Sequence, residues 1–109
     1  MITVFVLLKT TQEWLRLERS ERNRIADSVL SSVLSDSTVT LRMFDAEAFT
    51  TNCTDVAMFQ AEDMQAFYFT IERLRDSELI TRPYFEMVQI IPTIEDGYKA
   101  FEKNIPSQS

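Results

Sequence analysis

The chain has 109 residues, a formal net charge of −6 and no histidine. That length suits one domain, residues 1–109, in which about two thirds of the unfolded surface becomes buried without staples. An apolar fraction of 45% with only 1 Gly and 3 Pro excludes a disordered chain, and the acidic balance argues against nucleic acid as a partner.

The first apolar run, Ile2–Leu8, reads as a strand. Thr3, Phe5 and Leu7 lie on one face and Ile2, Val4, Val6 and Leu8 on the other, so both faces are apolar, as in a central strand. The run is too short to span a membrane and lacks the basic residue that leads a signal peptide. A cytoplasmic protein without membrane association is expected. The lone Cys53 fits a reducing compartment.

Thr10-Thr11 precedes Gln12-Glu13-Trp14-Leu15 and reads as an N-cap. Ser20 offers a second cap, which would split the stretch into a short helix and a longer one. Ile25, Val29 and Val33, flanked by Ala26, Leu30 and Leu34, form one stripe that packs on a sheet. The interleaved Arg16, Glu18, Arg19, Glu21, Arg22 and Arg24 read as a solvated face, because mixed charge cancels the field a phosphate needs.

Ser35-Asp36-Ser37 is a turn, and Val39–Phe44 alternates as a half-buried strand. A bulge or bend is expected over Phe44–Phe49, where the strand formers are poor. Val56–Phe59 is a third strand. Glu62-Asp63 opens a helix over Met64–Leu79 with its stripe at Met64, Phe67, Ile71 and Leu74. Pro83 ends it, Tyr84–Ile91 is a last strand apolar on both faces, and Thr93 with Asp96 predicts a capped C-terminal helix through Phe101. The order is β-α-β-β-α-β, a split βαβ arrangement. Its fold class is α+β, ferredoxin-like, with a four-stranded antiparallel sheet that has helices on one face only.

The missing histidine excludes Ser-His-Asp and Cys-His nucleophile systems, His-ligated haem and His-rich zinc sites. Carboxylates, Tyr and Lys remain for acid–base work. Asp45 and Glu47 share a strand parity, and Glu72 and Asp76 stack on a helix beside Arg73 and Arg75. A carboxylate forced beside another, or into an apolar pocket, holds its proton to higher pH. The plain alternative is a solvated charged face. No ligand spacing for a metal and no glycine-rich phosphate loop is present. Without a neighbouring base, Cys53 reads as a turn cysteine. Trp14, Phe44, Phe49, Tyr68 and Phe85 line either an aromatic pocket or a core and dimer interface.

The segments TTQEWLRLERSERN, FDAEAF and ERLRDSELITRPYFEMVQIIPTIEDGYKAFE resemble the darcynin family of small bacterial proteins over nearly the full length. The resemblance implies a ferredoxin-like domain related to the dimeric α/β-barrel proteins. These pair through the bare sheet face, and some act on small aromatic or polyketide-type compounds, often without a cofactor. It implies no particular catalytic residue.

The expectation is therefore a homodimer with a pocket lined by Trp14, Phe44, Phe49, Tyr68 and Phe85, without metal or cofactor. Asp45, Glu47 or Glu72 would supply acid–base capacity, and Arg42 or Arg75 would hold a developing anion. The alternative is a non-catalytic homodimer that binds a metabolite or a protein partner.

Overall fold

The structure is a computed structural model and describes residues 1–106. Its elements are β1 (Ile2–Thr10), α1 (Gln12–Leu15), α2 (Arg19–Val33), β2 (Thr40–Asp45), β3 (Asp55–Ala61), α3 (Met64–Asp76), α4 (Glu78–Thr81), β4 (Phe85–Thr93) and α5 (Gly97–Lys103). The four strands form one sheet in the order β2-β3-β1-β4, and every neighbouring pair is antiparallel. This is the ferredoxin-like arrangement that the order of apolar segments predicts.

Local signals set most boundaries. The Thr11 hydroxyl accepts from the Trp14 backbone N–H at 3.4 Å and caps α1. The Asp63 carboxylate accepts from Ala66 N–H at 2.8 Å and caps α3. Ser20 is not a cap: α2 starts at Arg19 after Glu18, and Ser20 lies inside its first turn. The helix expected through Leu79 breaks at Ser77, whose backbone is extended. Its hydroxyl donates to Leu74 O at 2.6 Å, offering that carbonyl a partner other than the helix ladder. Thr93 stays in β4, and Asp96, in the left-handed region at φ 50°, precedes α5 without a side-chain cap. The chain bends within the expected Phe44–Phe49 stretch, and a further irregularity lies in β4. The chain leaves β2 in a turn in which Phe49 and Thr50 N–H donate to Ala46 O, while the register slips in β4, where Leu7 faces Gln89 and Leu8 faces Met87. Val88 is the extra residue.

The helices cover one sheet face. Val4 and Val6 of β1 and Ala57 and Phe59 of β3 meet Ile25 and Val33 of α2 and Phe67, Ile71 and Leu74 of α3 in the core. Phe59 and Phe67 meet edge to face at 5.8 Å. Burial of each of the Val, Ile, Leu and Phe side chains among them is worth about 1.5–3 kcal/mol. The opposite face presents Phe44, Val56 and Leu7 in one row and Arg42, Met58, Phe5 and Ile91 in the next. Sequence periodicity predicts this second apolar face, and among the described residues no helix packs over it.

Candidate functional site

Between the sheet and helices α2 and α4 lies a wholly apolar cavity of about 170 Å³. Leu8, Ala57 and Phe59 form its floor, Ala26 and Leu30 its roof, and Trp14 and Phe85 one wall. Two small side chains explain the void: Ala57 in β3 and Ala26 in α2 leave the sheet and helix apart where larger residues would meet. A space near 150 Å³ takes up one benzene ring, so this pocket, partly open to solvent at the exposed Met43, is large enough for a single small ring.

Beyond the Trp14–Phe85 wall is a wider polar cleft of about 510 Å³, lined by Thr10, Arg22, Asp45, Glu47, Thr54 and Asp55. The indole of Trp14 is held between Tyr84, at 5.4 Å, and Phe85, at 5.0 Å. Arg22 closes the α1 end by donating from Nε to Trp14 O at 3.0 Å and from Nη2 to Leu15 O at 2.8 Å. The ring-sized cavity thus shares its wall with a cleft carrying three carboxylates and one guanidinium.

Asp55 and Asp45 face each other across the β3–β2 ladder. The Thr54 hydroxyl lies 2.7 Å from Asp55 Oδ2, to which it donates, and accepts from Thr10 N–H at 2.9 Å. Partial burial is the main cause that pushes the Asp55 carboxyl above the ordinary carboxylate range. The Thr54 hydrogen bond opposes this, while the charges of Asp45 and Glu47 add to it. A side-chain hydrogen bond with Asp45 adds to it as well, and the result is a carboxyl that keeps its proton to higher pH than an isolated aspartate.

Of the residues singled out from sequence, the structure gathers Trp14, Phe85, Asp45 and Glu47 around this site. It does not bring the others there. Arg42 and Phe44 project from the opposite sheet face, because their strand parity is that of Val56 and Met58; the guanidinium of Arg42 lies 5.5 Å from the Phe44 ring centroid. Phe49 is 89% exposed at the tip of the β2–β3 turn, and Tyr68 is 57% exposed on the outer side of α3. Glu72 and Arg75 form an open pair at 3.9 Å on the same helix, the solvated face of the plain reading. The single aromatic pocket expected from sequence is therefore divided between a smaller pocket and three separate surfaces.

Asp55 and Thr54 escape the sequence reading, Thr10 is read there only beside the Thr11 cap, and Arg22, read as part of a solvated face, instead donates to Trp14 O and Leu15 O at the cleft. Asp55 precedes the apolar run of β3 and looks like a turn residue. Its partnership with Asp45 follows only from the hairpin register, in which Phe44 pairs with Val56 and Met43 with Ala57. Among the described residues no three acidic or cysteine side chains converge as metal ligands would, and no helix is long and apolar enough to cross a membrane.

Residues 1–106 match the family described as "Darcynin, domain of unknown function". The chain is 54% identical over 67 residues to a Darcynin of Chromobacterium violaceum, an overlap that covers 62% of this chain and 85% of that protein. Among solved structures it is similar to a heme-binding protein of Thermus thermophilus, with TM-score 0.76 and 18% identity over 92% of this chain and 43% of the other. It is also similar to a dimeric chlorite dismutase of Nitrobacter winogradskyi, with TM-score 0.61 and 12% identity over 84% of this chain and 54% of the other. The chain thus spans about half the length of these structures, and at such identities they share its fold alone.

Proposed function

The chain belongs to the Darcynin family, and from that premise and the geometry above we propose that it is a homodimeric protein that binds a small aromatic molecule. The observation that carries this reading is the apolar, ring-sized cavity abutting a cleft with a protonatable carboxyl. A ring fits the cavity behind Trp14 and Phe85, and a polar substituent on that ring reaches Arg22 or Asp55. The bare sheet face supports pairing, since a contiguous apolar patch of that kind is rarely left in water. The similar chlorite dismutase is itself described as dimeric. The buried free thiol of Cys53 fits a cytoplasmic setting.

Heme binding, named for the Thermus thermophilus protein, does not fit the residues of this site. The sequence has no histidine. Of the remaining axial-ligand types, the cavity offers only the Met43 thioether, which serves haem iron beside a histidine. The reading is therefore a ligand bound without a cofactor.

A second reading, acid–base catalysis on that ligand, is favoured by Asp55 in particular. A carboxyl that holds its proton to higher pH is better suited to act as a general acid, and Asp55 lines the cleft in which the ligand's polar end would lie.

The sequence has 1 Trp, so Trp14 reports on the site alone. Titration with phenol, followed by emission excited at the red edge of indole absorption, should saturate. Ala26→Leu, which fills the cavity roof, should abolish the change while leaving the circular dichroism intact. A linear, non-saturating response that is the same in both proteins would overturn the binding reading.

A further inference from the structure

We propose that the C-terminal arm, residues 94–106, packs on a second copy of this chain along the free edge of β2. Ile94, Tyr98, Phe101 and Ile105 recur at helical spacing and form one apolar stripe. They are 65%, 73%, 63% and 45% exposed, and α5 buries none of its residues. The arm does not fold back onto its own body. The chain measures 65 Å along its longest axis against 31 and 19 Å. Its radius of gyration is 16.7 Å, where a compact chain of roughly 100 residues has about 13 Å. A stripe that finds no cover within its own chain needs cover from outside it.

Three observations select a second copy as that cover. First, the arm is continuous with the bare sheet face: Thr93 pairs with Thr3 there, and Glu95 lines a cleft on that face with Phe5, Arg42 and Met58. One two-fold operation that joins the sheet faces therefore also delivers each arm to the other subunit, as a closed isologous exchange. Second, β2 and β4 are the two free edges of the sheet. Closing paired sheets so that no edge stays open brings β4 of one copy to β2 of the other, and the arm continues directly from β4. Third, exposed aromatic side chains are available to the arm's apolar stripe: Phe44 stands exposed on the uncovered face of β2, and Phe49 in the turn that follows it. The exposure of Phe49, otherwise unexplained in the isolated chain, follows from this role.

The inference rests on the homodimer of the preceding section, and one pair of measurements separates the two. The full chain is compared by sedimentation equilibrium with a chain ending at Thr93. In parallel, the full chain carries photoreactive benzoylphenylalanine in place of Phe101, and its products are resolved on a denaturing gel. The expected results are a full-chain dimer, a dissociation constant raised on the order of tenfold or more by truncation, and a covalent dimer whose cross-linked peptide contains residues 42–49. A full chain that is monomeric overturns both the dimer and the arm exchange. A full-chain dimer that truncation leaves unchanged, or cross-links that stay within one chain or join the arm elsewhere, overturns the exchange while the sheet-face dimer stands.

Discussion

Asp55 stands directly opposite Asp45 on the neighbouring strand, with the Thr54 hydroxyl 2.7 Å from Asp55 Oδ2. Like charges facing each other across a ladder are destabilising, and a hairpin bearing such a pair is relieved when one member keeps its proton. Asp55 is the more buried of the two, and burial is the main cause that raises its carboxyl. The pair closes the polar cleft at the edge of the apolar cavity, so an electrostatic cost to the fold falls where a ligand's polar group would be met.

This makes stability depend on pH in a definite direction. The Asp55 carboxyl is raised in the folded state, so the native protein binds its proton more tightly than the unfolded chain does. Below the unfolded value, near 3.9, the group carries no penalty. As pH rises through the folded value the native state loses that advantage and holds an unfavourable carboxylate. Asp55→Asn should match the parent at low pH and exceed it at neutral pH. The gain should stay under about 1 kcal/mol, since the side chain is partly exposed and screened. Urea unfolding across pH 3 to 8 measures it; a variant less stable than the parent at neutral pH would contradict the assignment.

Trp14 is the common wall of cavity and cleft, and its ring is buried against Tyr84 and Phe85. Trp14→Ala should destabilise the protein by about 3–5 kcal/mol. Trp14→Phe keeps part of the wall and should cost less than half as much. Thermal melts of the two variants give the comparison.

Thr11 links α1 to the start of β4. Besides accepting from Trp14 N–H, its hydroxyl lies 2.8 Å from Pro83 O, to which it donates. Thr11→Ala removes both, and a loss of about 1–2 kcal/mol is expected. Thr11→Ser keeps the oxygen and should recover most of it in the same unfolding assay.

Phe5 and Leu7 occupy the middle of the uncovered sheet face. Phe5→Asp places a charge at the centre of the proposed interface and should raise the dimer dissociation constant by more than about 100-fold, a cost above roughly 2.7 kcal/mol. Light scattering coupled to gel filtration reads this directly, and an unchanged dimer mass would place the interface elsewhere.

Glu72→Gln serves as the control that separates the two carboxylate groups. Its pair with Arg75, at 3.9 Å, is solvent-exposed, so stability should change by less than about 0.5 kcal/mol. Phenol titration of Trp14 fluorescence should be unaltered, whereas a weakened response would implicate α3 in the site.

The sequence by itself determined the order of elements, the central position of β1 and the two-faced apolar character of the sheet. Those features depend on periodicity and on short-range caps such as Thr11 and Asp63, which act within a few residues. It also singled out Trp14, Phe85, Asp45 and Glu47, because aromatic rings and clustered carboxylates are visible as residue types. Only the tertiary structure decided which of these meet. Arg42 and Phe44 fall on the far face because strand side chains alternate, and a one-residue difference in register exchanges the faces. Tyr68 and Glu72 face solvent because α3 turns its Phe67–Ile71–Leu74 stripe to the core. Asp55 gains its character from partial burial and from Asp45, and the cavity exists because the small side chains of Ala26 and Ala57 leave the space between helix and sheet unfilled. These are contacts between residues distant in the chain, and no local pattern encodes them.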